Sequence, residues 1–257
     1  MSDDRPERVV VKLGGETLGE QHATLRGVAE AAGRYQLVIV HGGGKRLSEW
    51  LARLGIESQW HEGRRITDAA SLEVAVAVLG GAVNAELVAA LVGLGIDAIG
   101  LTGIDTGLLV AERVPELGRV ARITGARTGR LEALLDQGLV PVIAPLALDA
   151  DGQICNVNAD EVAGGLAAAL QARLVLLTDT AGVLDGAGNV VPTLDGPGAE
   201  QLIASGVISG GMIPKVRSAV AVVEAGSPEV VIADGRASDG LRRALGGGPS
   251  GTRIRRG

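Results

Sequence analysis

Short apolar runs closed by glycines alternate along the chain with longer stretches whose apolar positions recur at helical spacing. Residues 9–13 read as a strand and 24–32 as a helix. Residues 37–40 read as a second strand, and the spacing over 46–54 predicts the helix after it. Two more helices are predicted over 69–79 and 83–94, then a strand over 98–101. These strands are apolar at every position rather than at every second one, as parallel strands covered on both faces are. The middle of the chain differs. Residues 108–113 and 119–123 flank Pro115-Glu116-Leu117-Gly118 and predict a hairpin. Residues 140–144 form a buried strand, and 147–156 fold back through Asp151-Gly152, a hairpin turn signal. Alternation then resumes: a helix over 160–169, a strand over 174–177, short helices over 199–205 and 215–224, a strand over 230–233, a helix around Leu241 and an edge strand over 252–255. The pattern predicts an α/β fold, a three-layer α/β/α sandwich around a mainly parallel central sheet, with hairpins over one end. A lobe boundary is placed near 170–175, giving lobes 1–172 and 173–257 on one continuous sheet.

Composition narrows the function. The chain has 257 residues, which is enough for a substantial core, and a net charge of -6. A single cysteine, Cys155, excludes a disulfide scaffold and any CxxC pair; it reads as a small core hydrophobe. Phe is absent, and Tyr35, Trp50 and Trp60 are too few for a base-stacking platform, so no nucleic-acid partner is expected. No run is read as reaching the ~18 apolar residues of a membrane helix, because Asn84 and Glu86 interrupt 74–94. The polar residues 1–8 lack a secretory signal, and a cytoplasmic location without membrane association is expected. His22, His41 and His61 are scattered, so no metal site is expected, and His41 reads as a structural histidine.

The lysines carry more information. Of the 24 basic residues only Lys12, Lys45 and Lys215 are lysine, and each lies beside glycines. A compact ammonium and a planar guanidinium are not interchangeable against a phosphate at close range. Lys12-Leu13-Gly14-Gly15 ends the first strand, where side-chain-free backbone N–H groups make an anion-binding concavity. His41-Gly42-Gly43-Gly44 ends the second strand and opens a helix, whose positive end attracts a carboxylate or phosphate. Arg46 follows Lys45 where a P-loop has Ser or Thr, and no GxGxxG follows a strand, so neither nucleotide motif applies. Two glycine loops at strand carboxyl ends point instead to two anionic ligands bound end to end. Gly63-Arg64-Arg65-Ile66-Thr67 reads as a carboxylate clamp or as a solvated basic surface. Asn156 and Asn158 alternate onto one face as if to meet an acyl substrate, while Asn158 or Asp160 also suits a helix cap. Thr178-Asp179-Thr180-Ala181-Gly182-Val183 is a nucleotide edge or a capped turn.

Taken together, these motifs resemble the amino acid kinase superfamily, and within it the acetylglutamate kinase branch, over nearly the whole chain. The resemblance implies that Lys12 and Lys215 stabilise a transferring phosphoryl group and that Asp160 holds the two lysines. It implies that Gly14 and Gly15 donate backbone N–H groups to the phosphoryl. By the same resemblance Gly43, Gly44, Arg65 and Asn156 contact N-acetyl-L-glutamate, with Arg65 on the α-carboxylate. Asp179, Thr180, Ala181, Gly182, Val183 and Leu184, with Val207, Ile208 and Ser209, then line the nucleotide. The cofactors implied are ATP and Mg2+, without protein ligands for the metal. Lobe 1–172 then binds the acyl amino acid and lobe 173–257 binds ATP. The product implied is N-acetylglutamyl 5-phosphate, an intermediate of arginine biosynthesis. A homodimer is expected, with the helix face around 74–79 at its contact. Arginine insensitivity is expected because only residues 1–8 precede the first strand. Arg64 stands where the family has an apolar residue, and Lys45 has no counterpart. Two other readings are weighed: a kinase of carrier-linked aminoadipate in lysine biosynthesis, and a non-catalytic ligand sensor on the same fold.

Overall fold

The computed structural model describes residues 6–14, 22–61, 64–237, 239–246 and 250–257. The strands are β1 (Arg8–Leu13), β2 (Gln36–His41), β3 (Gln59–His61), β4 (Arg64–Ile66), β5 (Ala98–Thr102), β6 (Leu109–Arg113), β7 (Val120–Ala126), β8 (Val140–Ala144), β9 (Leu146–Leu148), β10 (Ile154–Val157), β11 (Arg173–Thr178), β12 (Thr193–Leu194), β13 (Val230–Asp234) and β14 (Thr252–Ile254). The helices are α1 (His22–Ala32), α2 (Gly44–Arg53), α3 (Ala69–Gly93), α4 (Gly129–Asp136), α5 (Ala159–Ala169), α6 (Gly196–Ala204), α7 (Met212–Glu224) and α8 (Gly240–Leu245).

One sheet runs in the order β12-β14-β13-β11-β1-β2-β8-β5, and every neighbouring pair is parallel except β13 with β14. The apolar strands bury both faces. Val10, Val38, Leu174 and Val230 face α5 and α7, whereas Val9, Leu37, Val175 and Val231 face α1, α2, α3 and α8. This is the expected three-layer α/β/α arrangement. The sheet runs without a break across the expected boundary, since β1 pairs with β11 in register from Val9 with Arg173 to Lys12 with Leu176.

The helices expected over 69–79 and 83–94 are one. α3 is unbroken, and its middle, Val76–Val83, is wound as a π-helix. Gly80 and Gly81 suggest a break, but Gly80 serves close packing: a Cβ there would lie 3.2 Å from Leu146 and 3.4 Å from Thr102. By length and composition α3 also suffices to cross a membrane, with a mean hydropathy of 2.0 over an 18-residue window, which corrects the expectation that no segment does. Its Val74, Ala75, Val78, Leu79, Val83, Leu87 and Leu91 instead pack into the core on one face of the sheet. Val74, Ala75, Val78 and Leu79 therefore belong to the chain's own core, whereas Val76 is half-buried and Ala77 is exposed on the other side of the helix.

Both expected hairpins form, β6 with β7 and β9 with β10. They do not stand apart as separate rims. β10 pairs with β7 and β6 with β9, closing a four-stranded barrel. β14 is not an edge strand; it lies between β13 and the two-residue β12, which is too short to show as an apolar run. The β3–β4 hairpin and α4 leave no clear mark in the sequence pattern, since β3 is wholly exposed and α4 buries only Leu131 and Leu135.

Candidate active site

Parallel strands bring their carboxyl ends to one edge of the sheet, and the charged residues collect there. Lys12 is the penultimate residue of β1, and its Nζ lies 2.9 Å from Asp160 Oδ1. Lys215, in the first turns of α7, puts its Nζ 3.6 Å from Asp160 Oδ2. One carboxylate thus holds two ammonium groups, one on each oxygen. Asp160 is fixed at the start of α5 because the Asn158 side chain caps that helix, accepting from the Asp160 N–H at 2.7 Å. The cap is therefore Asn158, which leaves the Asp160 carboxylate for the lysines. Burial pushes the Asp160 pKa up, but Lys12 and Lys215 outweigh it and hold the carboxyl below its ordinary value. The three groups carry one net positive charge toward the edge. Gly14 follows β1 directly; Gly15, its expected companion, lies outside the described residues.

β2 delivers the second glycine loop. Gly43 sits at φ 147, and a Cβ there would lie 2.6 Å from Leu79 Cδ2, so only glycine fits between the loop and α3. Gly43 is also the N-cap of α2 without a side-chain cap bond, so that helix end offers its backbone N–H groups to a ligand. His41 is buried beneath the loop. Its Nδ1–H donates to the Gly42 carbonyl at 2.7 Å, and Nε2 accepts from Asn84 Nδ2 at 3.1 Å. Burial pushes His41 down to about 4, so it is neutral and structural, as the sequence suggested.

Gly43, Gly44, Arg65 and Asn156, expected to meet one ligand, line a single cavity of about 230 Å³ together with Trp60, Arg64, Val120 and Pro145. Arg65 is buried, and burial draws its pKa down. Its Nη1 donates to Ser58 Oγ and its Nη2 to Ser48 Oγ at 2.6 Å, while its guanidinium lies 4.4 Å from the Trp60 ring centroid. Arg64 turns the other way, toward Glu161 Oε1 at 3.4 Å. Asn156 Nδ2 donates to Thr67 Oγ1 at 3.3 Å. Sequence reasoning does not find Ser48, Ser58 and Trp60. Trp60 carries a faint signal, as a large aromatic residue amid polar neighbours.

The segment expected at the nucleotide begins where β11 ends. Thr180 N–H donates to Thr178 Oγ1 at 3.2 Å, and Val183 N–H donates to Thr252 Oγ1 at 2.8 Å, shaping the turn through Gly182 at φ 147. Asp179, Ala181, Leu184 and Ser209 are exposed, whereas the side chains of Val183 and Ile208 lie in the core and leave only backbone to a ligand. A Cβ on Gly186, just beyond the first segment, would lie 4.0 Å from Val207 Cγ2. A second cavity, of about 260 Å³, opens beside Asp234, Gly240, Arg243 and Gly251, and Ala181 alone of the expected residues reaches it. Among the described residues no three His, Cys, Asp or Glu side chains are grouped to hold a metal ion. Cys155 is buried, and burial pushes its thiol pKa up.

A family model described as the amino acid kinase family matches residues 7–234. An acetylglutamate kinase of Rubrobacter xylanophilus is 44% identical over 249 residues, covering 96% of this chain and 96% of that protein. One from Afipia carboxidovorans is 41% identical over 249 residues, covering 90% and 84%. Among solved structures, N-acetylglutamate synthase from Neisseria gonorrhoeae, complexed with coenzyme A and N-acetyl-glutamate, superposes with a TM-score of 0.86 at 25% identity. That match covers 98% of this chain and 60% of the synthase, so the chain spans about three fifths of that protein's length.

Proposed function

The chain belongs to the amino acid kinase family, and from that premise we propose that it transfers the γ-phosphoryl group of ATP to the side-chain carboxylate of N-acetyl-L-glutamate, giving N-acetylglutamyl 5-phosphate. The observation that carries this reading is the Lys12–Asp160–Lys215 cluster, held at the sheet edge next to the cavity that Arg65 and Gly44 line. The acetylglutamate kinases that resemble the chain over most of its length support the same substrate.

The chemistry suits these groups. The nucleophile is a carboxylate with a pKa of ~4.3, already ionised at neutral pH, so no general base is needed. One of its oxygens attacks the γ-phosphorus, the bond to the β–γ bridging oxygen breaks, and ADP leaves with that electron pair. The obstacle is repulsion between two anions. Lys12 and Lys215 reduce it and stabilise charge on the equatorial oxygens, Asp160 keeps them aimed, and the Gly14 backbone adds a donor. Arg65, Asn156 and the Gly43–Gly44 helix end hold the acyl amino acid on the side of lobe 1–172. Asp179, Thr180, Ala181, Gly182, Val183, Leu184, Val207, Ile208 and Ser209 hold ATP on the side of lobe 173–257. The donor set fits a Mg2+ ion carried on the nucleotide phosphates, because both Asp160 oxygens face lysines. Such an ion would supply charge neutralisation to the nucleotide phosphates.

The reading extends to a cytoplasmic homodimer acting in arginine biosynthesis, with its contact on the outward helix face around 74–79, where Val76 is half-buried and Ala77 exposed; sedimentation measures that state. The expectation about arginine rests on residues 1–8, of which 1–5 lie outside the described residues. ADP release tests the substrate when N-acetylglutamate is compared with glutamate, aminoadipate and carrier-linked aminoadipate. Turnover confined to N-acetylglutamate is expected, and turnover confined to another acceptor overturns the reading. A ligand sensor would release no ADP with any of them.

A further inference from the structure

Arg65 is held far more firmly than a pocket-wall arginine needs to be. It comes from the β3–β4 hairpin, whose Trp60 is 57% exposed, yet Arg65 itself is buried. Three separate segments converge on its guanidinium. Ser58 precedes β3 and accepts from Nη1; Ser48 lies on α2 and accepts from Nη2 at 2.6 Å; Trp60 supplies its ring face at 4.4 Å. Ser48 Oγ also donates its own proton to the Gly44 carbonyl at 2.9 Å. That commitment turns the hydroxyl lone pairs toward Arg65 and gives the hydroxyl one fixed sense. The remaining contact, from Nη2 to the Gly44 carbonyl, is 3.4 Å long and is the weakest of the set.

We propose that Ser48, Ser58 and Trp60 are positioning residues for the acyl amino acid: they hold Arg65 pre-aimed, and the incoming carboxylate replaces only its weak contact to the Gly44 carbonyl. This rests on the reading that the cavity takes N-acetylglutamate. An arginine already ordered by two hydroxyls and a ring loses little further rotamer freedom when the ligand arrives, so the serines act on substrate affinity and not on the phosphoryl transfer.

The test is a kinetic cycle on the intact chain with Ser48→Ala, Ser58→Ala and the double variant, each with Arg65 present and with Arg65→Ala. Each serine lost should raise the KM for acetylglutamate about tenfold, the size of one hydrogen bond to a charged group. kcat and the KM for ATP should stay within about twofold, which a merely structural role would not allow. In the Arg65→Ala background the serine substitutions should change kcat/KM less than about twofold, because they act through Arg65. A binding readout is available as well: with Trp50→Phe, Trp60 is the only tryptophan left of two, and its emission should shift on adding acetylglutamate without ATP. Unchanged KM in the double alanine variant, a parallel fall of kcat and both KM terms, serine effects that persist without Arg65, or silent Trp60 emission each overturn the proposal. Failure of the wild-type protein to turn over acetylglutamate overturns the substrate reading instead.

Discussion

At the scale of single residues, the proposed mechanism requires ammonium groups that guanidinium cannot replace. Lys12 and Lys215 each reach one oxygen of a single carboxylate, and an arginine in either place would present a wider plane to both Asp160 and the phosphoryl. Lys12→Arg and Lys215→Arg should each lose about 10²–10³ in turnover while keeping their circular dichroism spectra, whereas Lys45→Arg, on an exposed position, should be neutral. Arg65→Ala should cost about 1.5–3 kcal/mol in acetylglutamate binding and leave the KM for ATP alone. Arg64→Ala, which loses only a half-exposed pair with Glu161, should cost under about 1 kcal/mol; the reverse ranking would shift the carboxylate contact to Arg64. His41 has its own signature. Between pH 6.5 and about 4 the unfolded chain binds a proton that buried His41 refuses, so stability should fall with pH across that window. The slope is ~1.4 kcal/mol per pH unit, about 3 kcal/mol in all, with no contribution above 6.5. Denaturation midpoints measured from pH 4 to 7 should show this slope, and His41→Gln should flatten it. The lysines are legible in the sequence because they are rare and sit beside glycines. Ser48 and Ser58 are not, because a serine's partner is set by tertiary contact and leaves no periodic trace.

Between elements, the approach of Lys215 to Asp160 depends on a helix crossing. α5 carries Asp160, α7 carries Lys215, and the helices meet where Gly164 faces Val222; a Cβ on Gly164 would lie 2.6 Å from Val222 Cγ2. Gly164→Ala should therefore push α7 away, costing about 1–3 kcal/mol in stability and lowering kcat through Lys215. Adding Val222→Ala makes room and should restore kcat even where stability stays reduced, and a double variant no faster than Gly164→Ala would show that this crossing does not aim Lys215. The sequence pattern locates the parallel strands well, because an unbroken apolar run leaves little choice. It divides α3 wrongly, because glycine looks the same whether it ends a helix or admits a neighbour. It also misses α4 and the β3–β4 hairpin, where too few side chains are buried to show a period.

Across the whole molecule, the residues before and after 172 share one sheet and one pair of core clusters. The β1–β11 pairing lies in the middle of the sheet, and both core clusters draw residues from before and after 172. Both tryptophans, Trp50 and Trp60, lie in the first part. Unfolding followed by their fluorescence should therefore coincide with unfolding followed by far-ultraviolet circular dichroism, and separated transitions would mean that the lobes fold independently. The same continuity joins the parts of the site: Lys12 from the centre of the sheet, Asp160 from the helix over one face and the glycine loop from β2 share one frame. That frame exists to join a carboxylate to a phosphoryl group, and the product is an acyl phosphate, which hydroxylamine traps as a hydroxamate. The most direct measurement is hydroxamate formation from N-acetylglutamate and MgATP, quantified against ADP. The account predicts one hydroxamate per ADP, with both lost together in Lys12→Arg and Lys215→Arg. ADP release without hydroxamate, or hydroxamate formation undiminished in both arginine variants, would contradict it.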